Sequence, residues 1–264
     1  MTTPTVTPVP APAAPGASIP STAASRNWSA SRQSLDGLFS PRSIAIVGAS
    51  EKPGSVGASL IANLDVYDAP KYLINPSRTR VAGRPAFPDL RSLPEVVDLA
   101  IIATPAHTVP DLVESCGSLG VRAAIVISAG FREAGPAGLA LEARVRQSVS
   151  RSGLRLLGPN CLGAMVPHLG LNATFANGMA KPGPVAFLSQ SGALCTAVLD
   201  WSFDDNVGFS AFVSVGGMLN VGWGDLIDHF GRDPNTRSIV IYMESVGDAR
   251  SFLSDRKSTR LNSS

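Results

Sequence analysis

Short apolar runs alternate with longer segments of helical period through most of the chain. Residues 43–47, 72–74, 99–103, 123–127 and 154–157 are rich in Ile, Val, Leu and Ala, and Gly or Pro closes each within three residues. Runs of that length bounded by turn residues read as buried strands. Between them, 56–64, 109–119 and 137–150 carry apolar residues at helical spacing, with Val56, Leu60, Ile61 and Leu64 on one face. Strands that alternate with helices of this length predict parallel βαβ units, here a doubly wound α/β unit over residues 34–160. Residues 161–183 read as a linker ending in a Lys-Pro-Gly-Pro run. Beyond it, strands at 185–188, 209–213 and 238–243 and helices at 193–203 and 223–230 predict a second, partial α/β unit over 184–254. Such a half-domain is expected to leave a sheet edge and an apolar face uncovered.

The two ends break the pattern. Residues 1–33 are dense in Pro, Ala, Ser and Thr, a composition that buries too little apolar surface to offset chain entropy, and are expected to be disordered. Residues 248–254 look helical, whereas Asp255 to Ser264 resemble a translated sequencing adapter. That tail is expected to be an artefact, and the native sequence to be truncated near Ser254.

Composition narrows the function classes. The chain has 264 residues, 44% of them hydrophobic, and a net charge of only +2. A charge so near zero argues against nucleic-acid binding through phosphate neutralisation. The apolar runs are too short to span a bilayer, and no secretory signal opens the chain. Cys116, Cys161 and Cys195 are widely separated and show no metal-ligand spacing. A cytoplasmic protein with no membrane partner is expected.

The chemistry gathers at strand ends. Gly48, Ala49, Ser50, Gly54, Ser55 and Val56 lie in the turn between the first strand and the first helix. In open parallel sheets, helix N-termini at that edge present N–H groups to anions. The spacing departs from G-x-G-x-x-G. After the second strand comes Asn75-Pro76-Ser-Arg78-Thr-Arg80, with no acid of the kind an NAD ribose requires. Two guanidinium groups suit a phosphorylated ribose, which leaves NADP and the 3′-phospho-ADP of coenzyme A as alternatives.

A series of motifs in fixed order resembles the NDP-forming acyl-CoA synthetase (acetate–CoA ligase) family, with the α chain of succinyl-CoA synthetase as a distant relative. The series runs Ser40 to Ser50, Gly54 to Gly57, Ile74 to Pro76, Ala103 to Pro105 and Ser128 to Phe131. It continues with Leu157 to Gly163, Leu188 to Ala193, Val213 to Gly216 and Asp233 to Thr236.

The resemblance implies a Rossmann-type doubly wound CoA-binding domain followed by a truncated flavodoxin-like domain of succinyl-CoA-ligase type. It implies that residues Gly48 to Val56 hold the CoA phosphates. Asn75, Pro76 and Arg78 would lie near the adenosine end, and Ala103, Thr104 and Pro105 would line the strand end beside the cofactor. Cys161 would sit near the acyl-transfer centre without acting as a nucleophile. Ser189, Ser191 and Gly192 would hold the phosphate carried by a phosphohistidine, and Glu244 would orient that histidine.

None of His107, His168 or His229 stands in the family's histidine motif, so no catalytic residue is assigned within the chain and the fragment is expected to be inactive alone. The substrates implied are CoA and a small carboxylic acid or acyl group. ATP or ADP and Mg would enter through an ATP-grasp module in cis or in trans, and an oligomer is expected. The alternative is the CoA-binding, regulatory part of a fused GNAT protein lysine acetyltransferase, which Leu171 to Phe175 and Ser191 to Asp200 also resemble. A stand-alone CoA-binding module and an NADP dehydrogenase are further readings.

Overall fold

A computed structural model of the chain describes residues 34–247. The expectations for 1–33, 248–254 and 255–264 lie outside the described residues. Two sheets carry the fold. The first has seven strands in the order β3-β4-β2-β1-β5-β6-β7. Its ranges are β1 Ile44–Val47, β2 Lys71–Ile74, β3 Arg80–Val81, β4 Arg84–Phe87, β5 Leu99–Ile102, β6 Ala123–Val126 and β7 Arg155–Leu157. All pairings are parallel except β3 with β4. The order reverses between β1 and β5, and that switch point is where a doubly wound sheet opens a crevice for ligands.

Every residue of β1, β5 and β6 is buried, which is why these strands read as continuous apolar runs rather than alternating ones. On one face, Ala45, Val47, Ala100, Ile102, Ala124 and Val126 pack against α3 Val109–Leu119 and α4 Pro136–Ser152. On the other, Ile44, Ile46, Leu99, Ile101 and Ile125 pack in one cluster with α1 Asp36–Phe39, α2 Val56–Asn63 and the second unit. At the N-terminal end of the strands, away from the crevice, the Asp98 carboxylate accepts from Arg42 Nε at 2.9 Å and pairs with Arg122 at 3.5 Å. The Arg42 hydrogen bond holds Asp98 below the usual carboxylate range.

The second sheet has five strands in the order β12-β10-β11-β8-β9. Three are parallel: β10 Pro182–Ser189, β11 Phe209–Ser214 and β12 Ser238–Tyr242. Its helices are α5 Gly192–Asp204 and α6 Trp223–Phe230. Ala186, Leu188, Ala211 and Val213 face the cluster shared with the first sheet, where Trp223, Leu226 and Phe230 of α6 also lie. Phe187, Phe209 and Phe212 face the opposite way, onto Cys195 and Leu199 of α5. Helices α1, α2 and α6 therefore form a layer that both sheets share. The β12 edge is half-covered, with Val240 and Tyr242 exposed.

The structure departs from the sequence reading at residues 161–183. The segment read as a linker contains two strands, β8 Gly163–Val166 and β9 Leu171–Thr174, that pair with each other and join the second sheet antiparallel to β11. The hairpin turn Pro167–Leu169 with Gly170 gives it a loop-like composition, yet Ala164, Met165, Leu171 and Ala173 are all buried.

Candidate functional site: a cleft between two strand-end turns

Leaving β1, the backbone turns at Gly48, where φ is +90° and an added Cβ would lie 2.5 Å from the Ala103 carbonyl oxygen. Gly57 packs its α-carbon onto the same turn, and a Cβ there would meet Gly48 O at 2.3 Å. These contacts draw α2 down against the β1–β5 crossing. Ser55 caps α2, its Oγ accepting from Ala58 N at 3.3 Å. Asn75 ties the neighbouring strand end to the turn by donating from Nδ2 to Ala49 O at 2.9 Å, while its Oδ1 accepts from Ser77 N. Both ends of the Asn75 amide are thus engaged by backbone, and the residue positions the turn.

Pro76 and Arg78 are exposed. The Arg78 guanidinium pairs with Glu51 of the turn, whose other oxygen accepts from Ala82 N at 3.1 Å. Arg80 donates to Gly83 O and so braces the β3–β4 hairpin. Of the two guanidinium groups singled out in the sequence, Arg78 is the one beside the turn.

The second turn is short. After β10, Ser189 is fully buried, donating from Oγ to Ser191 O and accepting from Ser191 N. Ser191 caps α5 by accepting from Leu194 N at 3.3 Å. Gln190 reaches across to the loop after β12, its Oε1 accepting from Glu244 N at 2.7 Å and Ser245 N at 2.8 Å. Trp223 Nε1 holds the same loop through Ser245 O at 3.0 Å. Glu244 is exposed at this rim.

A single cleft of about 700 Å³ joins the two turns. Val56, Ala103, Thr104 and Ser128 line its first-sheet side, and Gln190, Gly192, Ala193 and Thr196 its α5 side. Between them lie Asn160, Cys161, Leu162 and Phe175. The 158–162 loop is pinned from both sheets: Asn160 N donates to Ser128 O at 3.0 Å and Gly217 N to Pro159 O at 2.7 Å. Of the residues singled out in the sequence, Val56, Ala103, Thr104, Cys161 and Gly192 line the cleft. Gly48, Ala49 and Ser189 lie beneath it as support. Ser50, Gly54, Ser55, Asn75, Pro76, Arg78, Pro105, Ser191 and Glu244 belong to the turns and rims outside the lining. Ser128, Gln190 and Thr196 were not singled out as site residues, although Ser128 and Gln190 fall inside motifs that close strands.

The electrostatics fit an anionic ligand rather than a thiol nucleophile. The N-terminus of α5 opens on the cleft, and helix N-termini favour phosphate. Cys161 donates its thiol to Val126 O at 3.3 Å, and burial pushes its pKa up to about 12, so no thiolate forms near neutrality. Burial also raises Cys195, to about 11. Among the described residues, no histidine lines the cleft. His107 is exposed, His168 bonds Gly183 O, and His229 packs on Phe39 and Phe230. No cluster able to hold a metal ion is present among the described residues, and no helix there is long and apolar enough to cross a membrane.

The fold and the cleft define a two-part protein in which a doubly wound unit abuts a second, mostly parallel α/β unit at their strand ends. Comparison with known proteins makes the class specific. Residues 42–167 match the CoA binding domain family, and residues 182–262 match the succinyl-CoA ligase like flavodoxin domain family.

The chain is 43% identical to acetate–CoA ligase [ADP-forming] I of Archaeoglobus fulgidus, over 85% of this chain and 33% of that protein. It is 40% identical to the α subunit of acetate–CoA ligase [ADP-forming] I of Pyrococcus furiosus, over 83% of this chain and 49% of that subunit. The solved dinucleotide-forming acetyl-coenzyme A synthetase 1 of Candidatus Korarchaeum cryptofilum, in complex with phosphate and ADP, superposes with a TM-score of 0.82 at 37% identity, covering 86% of this chain and 50% of that one. The chain thus carries a CoA-binding and a succinyl-CoA-ligase-like domain and is similar to ADP-forming acetate–CoA ligases over most of its length, and it spans about a third to a half of the length of these relatives. The acetyltransferase-fused alternative gains no support from them.

Proposed function

We propose that the chain is the CoA-binding part of an ADP-forming acyl-CoA ligase, acting in the cytoplasm with an ATP-grasp module in cis or in trans. The observation that carries this reading is the one cleft shared by the β1–α2 side and the N-terminus of α5. A ligase of this class must bring a thioester and a phosphate together, and a cleft with a nucleotide-type turn on one wall and an anion-binding helix end on the other does so. In the reaction, a phosphate oxygen attacks the thioester carbonyl carbon. The C–S bond breaks, CoA leaves as the thiolate and takes up a proton, and acyl phosphate remains. Its phosphoryl group then passes to a histidine, freeing the carboxylate, and from there to ADP.

In this reading the turn from Gly48 to Val56, with Ser50, Gly54 and Ser55, cradles the CoA pyrophosphate. Arg78 meets the 3′-phosphate, and Asn75 and Pro76 shape the adenosine end. Ala103, Thr104 and Pro105 border the pantetheine arm. Ser191 and Gly192 present backbone N–H groups to the phosphate, Ser189 holds that turn from below, and Glu244 orients the phosphorylated histidine. Neither His107, His168 nor His229 is placed for that role, so the histidine and the Mg–nucleotide site belong to another part of the full enzyme. An oligomeric assembly completes the reading.

Calorimetric titration of the chain with CoA and, separately, with NADP tests the cofactor assignment. Saturable CoA binding with no NADP binding is expected. The opposite preference would return the site to a dehydrogenase.

A further inference from the structure

Phe175 is a large apolar side chain left 37% exposed, yet the backbone that carries it is tied on both sides by side-chain hydrogen bonds. Asn63, at the end of α2, donates from Nδ2 to Thr174 O at 2.8 Å and to Ala176 O at 2.9 Å, clasping the chain on both sides of Phe175. The fully buried Thr174 hydroxyl donates to Asn172 Oδ1 at 2.7 Å and accepts from Ala176 N at 3.2 Å. Asn172 in turn donates to Gly178 O at 3.0 Å. A chain of buried and partly buried hydrogen bonds therefore fixes the backbone at Phe175, and that residue lines the cleft.

The cleft is polarised around it. Its phosphate-attracting end is the α5 N-terminus at Gly192 and Ala193, and its apolar stretch is Ile127, Cys161, Leu162 and Phe175. We infer that Phe175 is a specificity-determining residue that caps the apolar stretch and restricts the acyl group to short aliphatic chains. The inference rests on the proposed CoA and acyl phosphate site. An acyl phosphate with its phosphoryl group at α5 points its carbon chain at this wall. A ring carried on a backbone held from both sides sets a sharper size limit than one on a loose segment, because that backbone cannot yield to admit extra methylenes.

The test is the affinity of the chain for CoA, acetyl-CoA and hexanoyl-CoA, measured by calorimetry for the wild type, Phe175→Ala and Phe175→Trp. The wild type is expected to bind hexanoyl-CoA roughly tenfold more weakly than CoA, the discrimination a size-limited apolar pocket provides. Phe175→Ala should bring that ratio to within about threefold, and Phe175→Trp should widen it. Equal binding of CoA and hexanoyl-CoA by the wild type, or an unchanged ratio in Phe175→Ala, overturns the assignment while leaving the CoA site standing. A Phe175→Ala variant that loses both ligands in equal measure marks the ring as structural and also overturns it. Failure of the wild type to bind CoA at all overturns the site reading and this inference with it.

Discussion

The chain leaves β1 through residues 48–55 and leaves β10 through Gln190 and Ser191 alone. Both turns end in a serine that caps the following helix, and both are stitched to a neighbouring strand end by a side-chain amide, Asn75 in one and Gln190 in the other. The first turn is long, and its close contacts are made by glycine against backbone. The second is short, and its contacts are hydroxyl and amide hydrogen bonds. A long turn pressed onto the strand crossing leaves room for an extended ligand to lie across it. A short turn bound up in its own hydrogen bonds leaves only the helix end, which fits a compact anion. On the proposed assignment, the long turn serves the extended CoA and the short one a compact phosphate.

Glycine replacement should separate the turns most strongly. Gly57→Val places a side chain against Gly48 O, which is backbone and cannot step aside. A loss of about 4 kcal/mol of unfolding free energy is expected, read from denaturant midpoints. Gly192→Ala has nothing within 4 Å of the added Cβ, and its midpoint should move by less than ~0.5 kcal/mol. Comparable losses in the two variants would erase the contrast.

The serine caps come next. Ser55→Ala and Ser191→Ala should each cost about 1 kcal/mol in stability. They should differ in ligand effect, because Ser191→Ala alone is expected to weaken inorganic phosphate binding in a calorimetric titration.

A smaller effect sharpens the first turn. Glu51→Gln removes the carboxylate that Arg78 now pairs with. An exposed pair of this kind is worth only about 0.2–1 kcal/mol. The preference for CoA over 3′-dephospho-CoA should therefore rise a few-fold, and a fall in that preference would remove Arg78 from the 3′-phosphate.

The smallest effect belongs to the layer the two sheets share. Burial holds His229 below its usual value of 6.5, and Asp36, Asp233 and Asp228 pull the other way while Arg232 adds to the depression. The unfolded chain takes up the proton first as pH falls. The contribution of His229 is therefore full above about pH 6.5 and is lost as acid approaches the lower folded value. Thermal midpoints should fall from pH 7 to pH 5, and less steeply in His229→Phe.

Much of this architecture was legible because β1, β5 and β6 are buried throughout and β10 along its C-terminal half, which forces short unbroken apolar runs. The helices α2 to α6 declared themselves by period. The β3–β4 hairpin was not legible, since Arg80 and Val81 make a strand of two residues and its turn places Ala82 at a φ of 49°, with no Asn-Gly or Asp-Gly signal. The β8–β9 hairpin was hidden by the Pro, His and Gly of its turn. At the site, the sequence identified the turns but not their meeting. That Cys161, Phe175 and Thr196 share one cavity depends on how two sheets stack across α1, α2 and α6, which no local pattern records. Asn75 and Ser189 carry the motif signal, yet their polar groups are engaged by the protein itself.

Amide chemical-shift mapping of the isotopically labelled chain, titrated first with CoA and then with inorganic phosphate, tests the shared cleft most directly. CoA is expected to perturb Gly54, Val56 and Thr104, and phosphate, added to the CoA-saturated chain, to perturb Gly192, Ala193 and Thr196 while CoA stays bound. Perturbations confined to one wall for both ligands, or displacement of CoA by phosphate, would contradict it.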